Sequence, residues 1–228
     1  MSAWRPVVTA VEGRYLAASN VTLLGTTADG DRVVYKPTRG VRPLWDFPAE
    51  SLAMREVWTY RIATVVAPDA VPETVLGDGM YGSGAVQRWV DIDDDFDPVP
   101  LIRRADASLW PLAVLDVVTN NADRKVGHIL RMSNGSGVVG IDHGLTLHPE
   151  GKLRTVLWSF AGRRVPGEQR AGVGRLVSAL EKGWATELTE DLGKEAAAAL
   201  AARTEALLAA GIHPQPPEDR PAWPWPTY

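Results

Sequence analysis

The acidic run Asp91-Ile92-Asp93-Asp94-Asp95-Phe96-Asp97, closed by Pro98, divides this 228-residue chain into two stretches of opposite character. Ahead of it lie β-branched runs separated by glycine-containing turns; behind it lie longer segments of helical composition. In the first stretch, residues 21–24 and 32–35 flank Asp29-Gly30-Asp31, the pattern of a hairpin. Lys36 ends the second of these strands, just before Pro37. Residues 48–66, bounded by Pro48 and Pro68, read as a helix, and residues 71–76 and 84–90 as two more strands around a turn at 77–82. The alternating aspartates do not make a calcium loop, because the sixth position is Phe96 instead of Gly and the twelfth is Ile102 instead of Glu. A solvated connection fits better.

In the second stretch, residues 108–119 form an apolar helix that delivers Asn120 and Asp123 onto the following loop. Residues 138–141 are a short strand ending at Asp142, and residues 169–181 and 192–210 are closing helices. The last fifteen residues, 214–228, hold six prolines and two tryptophans, too rigid for a core helix and expected to lie extended over the surface. The order of segments predicts an α+β fold of two lobes. Residues 1–90 form a small antiparallel β-sheet with one helix, 91–98 the acidic connection, 99–213 a mainly helical lobe, and 214–228 the tail. A parallel doubly wound sheet would contradict this expectation.

Composition narrows the function. The formal net charge of −4 argues against a nucleic-acid binder, which needs an excess of Lys and Arg to neutralise phosphates, so any anion site must be local. With no cysteine, thiolate metal sites and disulfides are excluded. No apolar stretch approaches the roughly 18 residues of a membrane span and no secretory leader is recognisable, so the expectation is a cytoplasmic protein without stable membrane insertion.

The chemistry-bearing residues fall at three places. Lys36 stands on a strand end, and Glu56, twenty residues later on the predicted helix, is the natural partner for a lysine withdrawn from water. Asp123 lies in Asn120-Asn121-Ala122-Asp123-Arg124, and Asp142 in Gly140-Ile141-Asp142-His143-Gly144. An isolated aspartate after a helix is often an Asx-turn. Kinase catalytic loops, however, place a catalytic Asp five residues before a metal-binding Asn, with a second metal-binding Asp on the next hairpin. Here His128 occupies the Asn position and Asp142 the second Asp position.

The runs Tyr35-Lys36-Pro37, Arg55-Glu56, Asn121-Ala122-Asp123-Arg124 and Ile141-Asp142-His143-Gly144 resemble the atypical kinases of the phosphatidylinositol 3- and 4-kinase superfamily. Type II phosphatidylinositol 4-kinases and HipA toxin kinases carry comparable loops, and a group of short actinobacterial kinase-like proteins is more similar still. The resemblance spans about residues 15–165. It implies a phosphotransferase using ATP with Mg2+ or Mn2+ and acting on an unknown lipid, metabolite or protein hydroxyl. It further implies Lys36 as the phosphate-binding lysine, Glu56 as its partner, Ser19 and Asn20 in the loop over the phosphates, and Gln87, Arg88, Trp89 and Val90 as the hinge against adenine. Asp123 is then the catalytic aspartate, Arg124 its charge partner and Asp142 the principal metal ligand.

Two other readings stand beside this one. Imidazole is a poorer ligand than oxygen for hard magnesium, so His128 leaves a site that uses one metal, prefers manganese, takes an amide oxygen from Asn121, or binds nucleotide as a pseudokinase. Alternatively His128, His143 and His148, close to Asp123 and Asp142, make a metal-dependent hydrolase, although that leaves Lys36 without a role. Six basic residues against Glu168 between 151 and 175 would suit an acidic acceptor or simply a solvated loop.

Overall fold

A computed structural model of the chain describes residues 3–15 and 20–228. Its first part is a five-stranded closed barrel of β1 (Val7–Arg14), β2 (Leu23–Thr27), β3 (Arg32–Pro37), β4 (Thr74–Gly79) and β5 (Gly82–Arg88), in the order β1-β2-β3-β5-β4. Alternation along β3 turns Val33 and Tyr35 into a small barrel core with Val8, Leu23 and Val86, which leaves Val34 and Lys36 on the outer face. Against that face lies α1 (Leu52–Val66). Its buried residues, Leu52 through Val66, surround most of the helix because it is pressed between the barrel and the helices behind it.

The remainder comprises α2 (Val99–Arg104), α3 (Trp110–Thr119), the hairpin β6 (Ile129–Arg131) and β7 (Val138–Gly140), and three helices, α4 (Gly167–Ala179), α5 (Ala185–Leu192) and α6 (Lys194–Ala210). Gly183, with φ 124°, bends the chain between α4 and α5. One core joins Trp58 and Ile62 of α1 to Leu112 and Leu115 of α3, Leu176 of α4 and Leu200 of α6. Thus α1 shares its packing with the helices as well as the barrel. The segment after α6 runs extended: the Ala222 carbonyl accepts from the Trp158 indole at 2.7 Å and from the Thr155 N–H at 3.2 Å, and the Thr227 carbonyl accepts from the Val126 N–H at 2.9 Å.

Several expectations need correction. The sheet is not simply antiparallel, since β1 pairs with β4 in parallel, Val7 opposite Asp78, and thereby closes the barrel. β1 itself escaped the sequence reading because, apart from Val8, it is mostly exposed and its pairing with β2 is twice irregular, so no period-two burial marks it. The turn between β4 and β5 is Met80-Tyr81, shorter than the 77–82 expected. α2 and α5 are additional helices. The acidic run is not a free connection either: Ile92 bridges to Met132, and the Asp93 N–H donates to the Arg131 carbonyl at 2.9 Å.

Candidate active site

Lys36 reaches from the outer face of β3 to two carboxylates. Its ammonium hydrogen-bonds Glu56 Oε1 on α1 and lies 3.0 Å from Asp142 Oδ1. Burial alone would depress this lysine, but attraction from Asp142 and Glu56 outweighs it and raises the pKa above the ordinary value. Glu56 uses its other oxygen to accept the His143 N–H at 3.0 Å, so one carboxylate ties α1 to both β3 and the loop after β7. In that loop Asp142 has a left-handed backbone, φ 61°. Aspartate tolerates that region better than most residues, and the neighbouring contacts carry the cost. The Lys36 charge holds the Asp142 carboxyl well below the usual carboxylate range.

Asp123 follows the left-handed end of α3 at Asn120, φ 55°. The Asn121 side-chain oxygen accepts the Asp123 N–H at 3.0 Å, an Asx-turn that fixes the loop while leaving the Asp123 carboxylate to face outward to Lys125 Nζ at 3.1 Å. Burial pushes the Asp123 carboxyl up to about 6, with Lys125 pulling it down and Asp142 adding repulsion. The Asx-turn and the functional reading of Asp123 are therefore compatible.

Beneath these groups lies a buried network that sequence reasoning did not find. Arg124 is fully buried; its guanidinium takes Asp116 of α3 at 2.9 to 3.1 Å, the Ile141 carbonyl at 3.0 Å and His143 Nε2 at 2.7 Å. Asp116 also accepts from the Asn121 amide at 2.9 Å and from the Thr155 hydroxyl at 3.0 Å. Arg124 and Asn121 thus lie behind the Asp123 and Asp142 loops, holding them together, and neither lines the cavity.

His128 is also turned inward. Its Nδ1 accepts the Lys125 N–H at 3.5 Å, which puts the neutral ring's proton on Nε2, 3.5 Å from Asp142 Oδ2. Burial lowers its pKa to about 4, with Asp142 opposing, so the ring is neutral at pH 7. His143 is buried on Arg124, and His148 faces the Asp46 carbonyl and the Glu150 N–H. The three histidines diverge, and among the described residues no group of three or more His, Asp or Glu side chains is gathered to hold a metal. The histidine-rich hydrolase site expected as one alternative is absent from them. Asp142 and Asp123 remain as hard oxygen donors. They fit a magnesium or manganese ion that arrives with phosphates, since such ions are commonly held by one or two carboxylates plus substrate oxygens.

Lys36, Glu56, Asp123 and Asp142 line one cavity of about 600 Å3 with Asn20, Lys125 and Arg154. Asn20 accepts the Arg42 N–H at 3.0 Å; Ser19 lies outside the described residues. Arg154, counted in the sequence only as one cation in a basic segment, has a buried Nε with no partner among the described residues. The proposed hinge residues do not border this cavity. Gln87 donates to Thr74 Oγ1 at 2.9 Å, Arg88 pairs with Glu73 at 2.6 Å and Asp31 at 3.0 Å, and Trp89 donates to Asp91 at 2.9 Å. Val90 is likewise no part of its lining.

No family model matches the chain. Its fold is kinase-like. The Helicobacter pylori proinflammatory kinase CtkA aligns with a TM-score of 0.57 at 11% identity, covering 91% of this chain and 95% of that one. Hydra Fam20 with sugar gives 0.56 at 12% identity, covering 90% and 83%. The Golgi casein kinase with Mn/ADP bound gives 0.54 at 12% identity, covering 89% and 71%. In sequence, Protein Rv2133c of Mycobacterium tuberculosis is 38% identical over 256 residues, covering 96% of this chain and 91% of the relative. By that relationship the chain belongs to the family of the mycobacterial Protein Rv2133c.

Proposed function

We propose that this protein is an ATP-dependent phosphotransferase that moves the γ-phosphoryl group to a hydroxyl. The observation that carries the reading is the convergence on one cavity of a paired lysine, Lys36, a carboxylate that can bind a cation, Asp142, and a third group, Asp123, whose pKa is raised to about 6. Binding alone requires the first two; a carboxylate tuned towards neutral pH suits accepting a proton. Support comes also from the kinase-like fold, which the Golgi casein kinase shares in a structure with Mn/ADP bound. The finer placement in the phosphatidylinositol 3-/4-kinase-like superfamily rests on the motifs alone.

In this reading Lys36, held by Glu56, supplies positive charge to the nucleotide phosphates. Asp123 orients the acceptor hydroxyl and takes its proton. Arg154, with an unfilled Nε at the cavity wall, meets charge on the phosphoryl oxygens. Asp142 would hold a divalent cation, which would supply further positive charge to the phosphates. Arg124, Asp116 and Asn121 act through the loops they fix, and Asn20 belongs to the wall beside the phosphates. Calorimetry with ATP and either Mg2+ or Mn2+ is the test: saturable heat that disappears in Lys36→Ala and Asp142→Ala supports the reading, and no heat with either ion sinks it.

A nucleotide-binding pseudokinase is the second reading, favoured by His128, whose ring stands 3.5 Å from Asp142 Oδ2 in place of an oxygen ligand. ATP that binds but is never turned over with either ion and a broad acceptor panel would decide for it.

A further inference from the structure

Three of the most exposed large apolar side chains border the same cavity. Trp45 is 89% exposed, Trp223 53% and Trp225 91%, and all three contribute to its lining. Folding gains little from a tryptophan left in water, so their collection at one mouth calls for another use. They come from two segments held in place separately. Trp45 lies in the loop between β3 and α1, where the Lys152 ammonium sits 4.8 Å over its ring and pairs with the adjacent Asp46 at 3.0 Å. Trp223 and Trp225 lie on the C-terminal strap, whose Ala222 carbonyl is fastened by the Thr155 N–H and the Trp158 indole. The strap's Thr227 carbonyl accepts from Val126 N–H, three residues beyond Asp123. The strap is therefore anchored to the loop that carries Asp123.

The occupant follows from the lining. Loop and strap border one cavity of about 600 Å3, the size of a small-molecule site. Its wall interleaves tryptophan with Arg42 and Asp46, a donor and an acceptor set among flat apolar faces. A sugar ring has that dual character: C–H bonds on a face that stack on an aromatic ring, and hydroxyls at the edge that need both donors and acceptors. We infer that Trp45, Trp223 and Trp225 form an acceptor subsite for a free monosaccharide, whose hydroxyl they present to Asp123. This rests on the phosphotransferase reading above. The bond between the hydroxyl oxygen and the γ-phosphorus forms, the bond from that phosphorus to the bridging oxygen breaks, ADP leaves with the electron pair, and the hydroxyl proton passes to Asp123.

The test uses the full chain with ATP and Mg2+ or Mn2+, with glucose, galactose, mannose and ribose each added, following ADP release and sugar phosphate. At least one sugar raises ADP release stoichiometrically with its phosphate. For that sugar Trp45→Ala and Trp223→Ala each raise KM by about tenfold with ATP affinity unaltered, and Trp223→Phe restores it near wild type because a stacking face remains. The inference is overturned if ATP binds and no sugar stimulates release, if casein is phosphorylated while every sugar is inert, or if Trp223→Ala weakens ATP as much as sugar, which would give the tryptophans to the nucleotide. A wild-type protein that binds no ATP removes the phosphotransferase reading and this subsite with it, a failure told apart by calorimetry alone.

Discussion

Asp123 and His128 are five residues apart, yet burial moves them in opposite directions, the carboxyl up to about 6 and the imidazole down to about 4. Each is thereby left neutral over a wider pH range than in water. For transfer, Asp123 must be ionised, so turnover is expected to fall as pH drops through about 6. The same acid limb shifts to lower pH as divalent cation is raised, because a nearby positive charge favours the carboxylate. Asp123→Asn should abolish transfer and the limb together while leaving ATP affinity within about twofold; a variant that still transfers phosphate removes Asp123 from the chemistry. His128→Asn restores an amide oxygen beside Asp142 and is expected to keep or raise magnesium-dependent turnover. A loss of turnover there would mean that the His128 ring beside Asp142 matters more than an oxygen ligand.

At the scale of elements, the site depends on how α3 is joined to two loops. Asp116, on the last turn but one of α3, holds Arg124, which in turn holds the carbonyl before Asp142 and the ring after it. Arg124→Lys keeps the charge but cannot supply the fork of donors, so it is expected to destabilise the fold by about 3 kcal/mol in urea unfolding, the order of a broken buried pair. A loss below about 1 kcal/mol would mean that the network is dispensable. The contrast with Lys36 shows what was legible. Lysine at a strand end with a glutamate on the next helix is a pattern written in the sequence, as are the two aspartate loops, and the structure brings Lys36, Glu56, Asp123 and Asp142 to one cavity. Asp116 was hidden inside an apolar run, where a single charge carries no periodic signal. The tail was readable as extended because proline fixes its backbone, but not as part of the cavity wall, since that depends on where Ala222 and Thr227 dock. Parallel closure by β1 was invisible for a related reason: its pairing uses backbone groups, and its side chains are mostly in water.

For the whole molecule, the buried imidazoles set the response to acid. His143 is lowered well below the ordinary histidine value, by burial first and then by Arg124, and His128 is lowered to about 4. Both are neutral in the fold and take up a proton when the chain unfolds below about pH 6.5, so the unfolded state binds more protons and stability decreases as pH falls from 6.5 towards 4. Asp123 runs the other way: with its folded pKa raised to about 6, the native state binds the extra proton between roughly pH 4 and 6, which stabilises the fold on acidification. The two histidines outweigh the one carboxyl. Denaturant midpoints measured from pH 4.5 to 6 should therefore rise with pH. His128→Asn removes one of the protons taken up on unfolding and should reduce that slope by about 1.4 kcal/mol per pH unit, whereas Asp123→Asn, by removing the opposing proton, should steepen it by a similar amount. Slopes that stay equal in both variants would mean that these side chains are open to water in the folded protein, and the cavity floor is then not the dry, charge-sorted surface on which the proposed chemistry depends.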